Sequence, residues 1–288
     1  MSFFKKEGWI GTGSWAAFPK DRVDSIFKAA AYWKETLKCI EKPWLCWSVD
    51  PEWCLIQQKL VAAVGWTPVV GMDYRSKKPE VISDAVELDF NKTLNLPGMW
   101  MHFPLEFVFL FADKLAFWHS DVLVPIGRLR EVVRQFDKIP NGKMVGIYLD
   151  RQISISGLKA RLKGQKPIPR WFEGLGCTTK EASKSQFDNG CGFWRRIELH
   201  PNAQEKIIQR NPHWEHGVGI YYWMKYFGGE VDNLCIDIDP YHYSRAGKYH
   251  KKSYSKFDQF PYNTQKGKEL NECFSLEKIV KELDISIY

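Results

Sequence analysis

An imidazole, a hydroxyl and a carboxylate stand together at His119, Ser120 and Asp121, between the apolar runs 115–118 and 122–124. Asp121 offers a hard carboxylate oxygen, the ligand type that Mg²⁺ and Mn²⁺ prefer. On an extended backbone His119 projects to the same side as Asp121, and Ser120 projects to the other side. The triplet predicts a metal or nucleotide site, with a structural histidine and a capping aspartate as the alternative.

The elements that must position this triplet alternate between strand and helix patterns. Apolar spacing predicts helices at 22–40 and 51–65, placed between strands at 7–16, 43–50 and 67–73. This alternation favours an α/β fold with a mixed, mostly parallel sheet flanked by helices. In such open sheets ligands bind beyond the carboxyl ends of the strands, where a strand ending in a polar triplet delivers its side chains.

The remaining chain continues this pattern and then becomes irregular. A helix at 104–113 leads into the strand of the triplet, and a helix at 127–136 and a strand at 143–150 follow. Residues 151–190 are rich in Gly, Lys, Pro and Ser, which predicts long loops. Beyond them the sequence predicts a strand at 191–201, a helix at 213–229, a strand at 230–239 and a terminal helix at 275–285.

The segment from Pro104 to Pro125 resembles the stretch around the Asp-x-Asp motif of GT-A glycosyltransferases. In that family a helix leads into a hydrophobic strand that ends in the acidic motif, and FADKLAFWHSDVLVP has this layout. His119 stands where the first Asp usually lies and adds no negative charge. The resemblance implies one GT-A-like (Rossmann-like) domain over 1–288. Its halves would be a nucleotide-binding 1–150 and an acceptor-binding 151–288.

The same resemblance implies an activity and a cofactor. The protein would transfer a hexose or pentose from a nucleotide-diphosphate sugar, with a UDP-sugar favoured, to an acceptor hydroxyl. A divalent cation, Mn²⁺ or Mg²⁺, would lie between Asp121 and the diphosphate. Residues implied to bind the nucleotide sugar are His119, Ser120 and Asp121, together with Thr12, Gly13 and Trp15 of the Gly-rich N-terminal turn.

Three later segments fit the resemblance, each with a structural alternative. FDNGCGFWR supplies Asp188 as a catalytic candidate and Asn189 and Arg195 as sugar or phosphate contacts, or else forms an Asn-Gly turn. Glu215 is the candidate base of an inverting reaction, or a helix N-terminal Glu favoured by the dipole. His242 and Lys248 match a motif of retaining families in which the His completes the metal site and the Lys meets the diphosphate. Otherwise they belong to a solvated basic loop.

Composition indicates the kind of partner. The net charge of +7 favours an anionic partner, and lysines concentrate near 159–170 and 248–256. The phage and TET-associated glycosyltransferases, which modify hydroxymethylated pyrimidines in DNA, also resemble GT-A enzymes, so DNA is the favoured acceptor. Trp171 or Phe172 would then fill the gap left by a flipped base.

The sequence also predicts a cellular location and leaves several alternative functions open. Seven cysteines without a CxxC pair, and no visible signal peptide or apolar run of spanning length, predict a cytoplasmic protein with reduced thiols and no membrane association. The sequence leaves the oligomeric state, the donor sugar and the stereochemistry open. Alternatives are a GT-A enzyme acting on a glycan or protein, a noncatalytic nucleic-acid-binding protein, and a metal-dependent nuclease.

Overall fold

The structure is a computed structural model of the chain. The residues that it describes are 9–10, 21–48, 51–72, 78–90, 98–99, 101–150, 158, 161–162, 168–193, 200–208, 216–242 and 280–281.

The chain folds into an α/β protein around a seven-stranded mixed sheet with the strand order β4-β3-β2-β6-β8-β7-β9. All of these strands run in one direction except β8, which is antiparallel to both of its neighbours. A separate parallel pair joins β1 to β5. The strands are β1 (Trp9–Ile10), β2 (Pro43–Ser48), β3 (Thr67–Met72), β4 (Val86–Glu87), β5 (Gly98–Met99), β6 (Lys114–Trp118), β7 (Lys143–Leu149), β8 (Arg170–Thr179) and β9 (Glu230–Asn233).

Helices cover both faces of the sheet, as expected for a largely parallel sheet. Buried residues of α1, α3, α5 and α7 belong to one apolar cluster, and those of α2 and α4 belong to the cluster on the other side. Short 3₁₀ turns lie at Val108–Leu110 and Asp239–Tyr241. The helices are α1 (Asp21–Leu37), α2 (Pro51–Ala63), α3 (His102–Glu106), α4 (Ile126–Asp137), α5 (Lys180–Asp188), α6 (Glu205–Ile208) and α7 (Val218–Phe227).

Most of the tryptophans in this chain are buried in the core. On the side of α2 and α4, Trp44 lies between Trp66, Trp118 and Phe136 with ring centroids 4.8–5.7 Å apart. These aromatic contacts join β2, β6 and α4 and contribute about 0.5–1.5 kcal/mol per pair beyond the area that they bury. They fix the strand that leads to the His119 triplet.

Three sequence predictions are wrong. Residues 170–188 are not loop but the strand β8 and the helix α5, and every residue of β8 is buried. β8 contains two glycines and no clear alternation, so only its pairing between β6 and β7 makes it a strand. The helix predicted at 104–113 breaks after Glu106 into the 3₁₀ turn. Residues 191–193, predicted to begin a strand, are not in one.

The polar triplet lies at a topological switch point. From β2 the chain adds β3 and then β4 on one side, and later returns to place β6 on the other side of β2. β2 and β6 are parallel, so their carboxyl ends meet at one edge, where open α/β sheets bind ligands. The strand ends at Trp118, and residues 119–122 form a turn closed by the bond from Val122 N–H to the His119 carbonyl (3.1 Å).

The cysteines of the described ranges are free thiols: Cys39, Cys46, Cys54, Cys177, Cys191 and Cys235. Burial raises the pKa of Cys177 and of Cys191 to about 12, so both thiols stay protonated and are poor nucleophiles. Within the same ranges, no helix has the length and apolar character needed to cross a lipid bilayer.

His200 is a buried histidine away from the triplet. Its Nδ1 accepts a hydrogen bond from Asn202 N–H (3.0 Å), and its ring packs on Phe187 at 5.1 Å. Burial lowers the pKa of His200 from 6.5 to about 3, so the imidazole is neutral in the folded protein. In the unfolded chain it takes up a proton near its ordinary pKa. The resulting stability is complete above pH 6.5 and is lost as the pH falls toward 3.

We expect His200→Asn to weaken the acid sensitivity of folding. The Asn side-chain oxygen can keep the bond to Asn202 N–H but does not titrate. The free energy of unfolding of the wild type should fall by roughly 1 kcal/mol per pH unit below pH 6.5 through this group. Urea unfolding at pH 7.5, 6.5 and 5.5 measures the difference, and parallel pH profiles for the two proteins would contradict it.

Candidate metal centre

The turn after β6 is held in place by Gln57, a buried residue of α2. Its amide nitrogen donates to the carbonyl of His119 (2.7 Å) and to the carbonyl of Val122 (2.9 Å). On the other side, His119 N–H donates to the carbonyl of Gly174 in β8 (3.0 Å). Two neighbouring elements thus fix the backbone of the turn, which pre-organises the side chains that it carries.

His242 reaches this turn from the far end of the described chain. Leu123 N–H donates to the carbonyl of Tyr241 (3.1 Å), and Val122 and His242 form an antiparallel bridge. The backbone pairing delivers the His242 imidazole between Asp121 and His119. His242 is buried, whereas the side chains of His119 and Asp121 are 20% and 15% exposed, so solvent reaches one side of the cluster.

The three side chains form a triangle of potential ligand atoms. Nε2 of His242 lies 3.2 Å from Oδ1 of Asp121 and 3.3 Å from Nδ1 of His119, and the last two atoms are 3.8 Å apart. A point equidistant from these three atoms in their plane lies about 2.0 Å from each, which is the bond length of small divalent ions to nitrogen and oxygen. The predicted ligands Asp121, His119 and His242 therefore meet with the spacing of one ion.

Two imidazoles and one carboxylate define the type of ion. Imidazole nitrogen suits first-row transition ions such as Fe²⁺ and Zn²⁺, whereas Mn²⁺ and above all Mg²⁺ prefer oxygen ligands. Of the two cations that the resemblance implies, this donor set favours Mn²⁺. Three protein ligands leave further coordination positions for a substrate or water.

A residue that sequence reasoning missed completes the surroundings of His119. Nε2 of His119 lies 3.5 Å from Oε1 of Glu173, whose other oxygen lies 3.4 Å from Nη1 of Arg170. Both side chains are about nine-tenths or more buried. The sequence signal was available, since a buried carboxylate within the apolar and glycine-rich stretch 171–177 requires a partner. It was overlooked because this stretch was predicted to be a loop.

The prediction that Trp171 or Phe172 fills the gap left by a flipped DNA base is wrong. Trp171 and Phe172 are 4% and 2% exposed, because both belong to the sheet interior. The Trp171 indole N–H donates to the Met224 sulfur, and the Phe172 ring packs against the rings of His119 and His242 at 5.0 and 5.2 Å. Phe172 therefore forms a wall of the metal centre, and neither ring can enter a gap in a duplex.

The other predicted site residues divide into two groups. Ser120 lies in the turn between the ligands and is partly exposed. Asp188 forms an ion pair with Lys184 (2.6 Å), and Asn189 donates to the Ser185 carbonyl (2.8 Å), which ties both to the end of α5. Outside the described residues lie Thr12, Gly13, Trp15, Arg195, Glu215 and Lys248.

No protein-family model matches this chain, and no curated protein is significantly similar to it in sequence.

We expect the wild type to bind one equivalent of Mn²⁺. Asp121→Asn should raise the Mn²⁺ dissociation constant more than about 100-fold, because loss of a ligand costs more than the 10–100-fold typical of residues that only contact a ligand. The substitution removes the negatively charged ligand while keeping the shape of the side chain. Isothermal titration calorimetry measures the dissociation constant. Binding should also weaken on acidification, because histidine ligates only in its neutral form.

Asp113→Asn is the matched control. Asp113 precedes the same strand, about 17 Å from its carboxyl end, and its side chain is 94% exposed. The control should bind Mn²⁺ as the wild type does. Equal affinities for Asp121→Asn and Asp113→Asn would contradict the assignment of the metal centre.

Proposed function

We propose that this protein is a cytoplasmic glycosyltransferase that moves a sugar from a nucleotide-diphosphate sugar, with UDP as the favoured nucleotide, to an acceptor hydroxyl. The observation that carries the proposal is the convergence of His119, Asp121 and His242 at the switch point of the sheet. Open α/β sheets bind nucleotides in the crevice at this point. A divalent ion held there faces the place where the diphosphate would lie.

The arrival of His242 supports the GT-A comparison beyond the motif itself. The resemblance implies that a histidine from the C-terminal part of the chain completes the metal site, and His242 lies 3.2 Å from Asp121. The mixed, mostly parallel sheet is also of the kind that the resemblance implies. A structural histidine needs only one hydrogen-bond partner for each ring nitrogen, whereas Nε2 of His242 lies within 3.3 Å of both residues of the motif.

In the proposed reaction each residue of the centre has a limited task. Asp121, His119 and His242 hold the cation, which when bound supplies positive charge against the leaving diphosphate. Gln57 and the Gly174 carbonyl keep the turn rigid, so that little reorganisation is needed as charge develops. Glu215 is still the predicted base if the reaction inverts the anomeric configuration. The motif formed by His242 and Lys248 is instead typical of enzymes that retain it.

The proposed acceptor is a hydroxymethylated pyrimidine in DNA, and it rests on charge. The net charge of +7 and the lysine-rich stretches at 159–170 and 248–256 would attract a phosphate backbone. The β7–β8 connection, which contains the first stretch, leaves and re-enters the sheet at the edge that carries the metal centre, because Leu149 pairs with Arg170 there. A base must then enter the site without the help of Trp171 or Phe172.

The test is a donor screen read by mass spectrometry. With Mn²⁺ present, UDP-sugars should be consumed and sugar should appear on hydroxymethylcytosine-containing DNA, with glycan and protein acceptors run in parallel. Asp121→Asn should lower kcat/KM by about 10²–10³-fold, the usual loss when one charge-stabilising group is removed. Asp113→Asn should retain activity. Full activity of Asp121→Asn would remove the proposed active centre.

A metal-dependent nuclease is the second candidate. Two histidines and a carboxylate with open coordination positions also suit an ion that activates water. This enzyme would cleave DNA with Mn²⁺ and no nucleotide sugar.

Thermal stabilisation by UDP with Mn²⁺ favours the transferase. Stabilisation by DNA alone, reduced strongly by salt, favours a noncatalytic binding protein.

A further inference from the structure

We propose that Glu173 is a positioning residue of the metal centre, which binds the Nε2–H of His119 and so presents Nδ1 of the same ring to the cation. The inference rests on the metal centre of the proposed function. Glu173 would then influence the affinity and the ligand geometry with which the centre holds a divalent transition ion such as Mn²⁺ or Co²⁺.

The two nitrogens of His119 face different groups. Nδ1 points into the triangle, 3.3 Å from His242 and 3.8 Å from Asp121, whereas Nε2 lies 3.5 Å from Oε1 of Glu173. A neutral imidazole carries one N–H, so a ring that ligates through Nδ1 must carry its proton on Nε2. A carboxylate at Nε2 selects this tautomer, orients the ring and makes Nδ1 a better ligand.

An irregularity of β8 places Glu173 at this point. Residues 173–176 lie across from Gly146 of β7 alone, because Phe172 pairs with Ile147 and Cys177 already pairs with Val145. On the other side of β8, residues 175–179 pair with β6 in regular register. Bulges of this kind change the direction of a side chain and are common next to active sites. Trp118, the last residue of β6, pairs with Leu175, so Glu173 lies beyond the end of that strand, and the bulge on the β7 side alters the direction of its side chain.

Two glycines make the bulge sterically possible. A Cβ atom at Gly176 would lie 2.7 Å from the Val145 carbonyl oxygen, which is backbone and cannot move aside cheaply. A Cβ atom at Gly174 would lie 2.0 Å from the Phe172 ring, which itself packs on both ligating histidines. The stretch Glu173–Gly176 therefore requires glycine at both positions, and at Gly174 the close neighbour is the ring that packs on the two histidines.

Arg170 holds the Glu173 carboxylate from behind. Its Nη1 lies 3.4 Å from Oε2 of Glu173 and donates to the carbonyl of His216 (3.1 Å), while its guanidinium lies over the Phe172 ring at 5.3 Å. A carboxylate this deeply buried needs such a counter-charge. Through the bond to His216, the same arginine joins the metal centre to the segment just before α7.

A purely structural ion pair between Arg170 and Glu173 is the competing explanation, and metal affinity separates the two. The test uses Glu173→Gln, which keeps the shape but loses the charge, and Glu173→Asp, which keeps the charge but withdraws it from His119. Calorimetry gives the Mn²⁺ dissociation constant, and visible absorption of the Co²⁺-loaded protein reports the ligand geometry. Glu181→Gln, on the exposed first turn of α5, is the matched control.

We expect both Glu173 variants to bind Mn²⁺ about 10–100-fold more weakly, the range found for partners of metal-ligating histidines. Their Co²⁺ spectra should shift, and Glu181→Gln should match the wild type in both measurements. If either variant folds and keeps wild-type affinity and spectrum, Glu173 is structural only and the inference fails while the metal centre stands. If the wild type binds neither ion, the proposed metal centre fails with it.

Discussion

The meeting of two imidazoles and one carboxylate at the carboxyl edge of the sheet is the interaction on which the site depends. His119 and Asp121 come from one turn, and His242 arrives by backbone pairing with Val122 and Leu123. The three ligand atoms stand 3.2–3.8 Å apart in a mostly buried place. Burying polar groups this close together at the edge of an apolar core destabilises the folded protein unless they share hydrogen bonds or bind an ion. The surrounding elements hold them together against that cost.

β8 links the fold to the site. It is the one strand of the described sheet that runs antiparallel, and it lies between β6, which leads to the candidate metal ligands, and β7, which pairs with the edge strand β9. Its first residues contribute Arg170, Phe172 and Glu173 to the surroundings of His119. The strand belongs to the second half of the chain, and it lies inside the sheet built by the first half. The two halves therefore share one sheet, and the candidate metal centre lies where they join.

The sequence predicted the parallel part of the fold well, for a local reason. β2, α2, β3, β6, α4 and β7 each have an apolar period or run that is bounded by Pro, Gly or Asp, so the pattern alone indicates their type. β8 lacks such a pattern, since it contains glycines at 174 and 176 and four polar residues. Its state follows from pairing with strands that lie far away in the sequence. Local propensity does not contain that information.

The sequence by itself determined that His119 and Asp121 would follow a buried strand at the carboxyl edge of a mostly parallel sheet, because apolar runs that alternate with helical patterns favour parallel strands. It also singled out His242 through its resemblance to a motif. Only the tertiary structure decided that the three atoms surround one point at about 2.0 Å, and that Glu173 stands behind His119. Those distances depend on the crossing of β6, β8 and the 241–242 segment, and the period of a chain does not encode where separate segments cross.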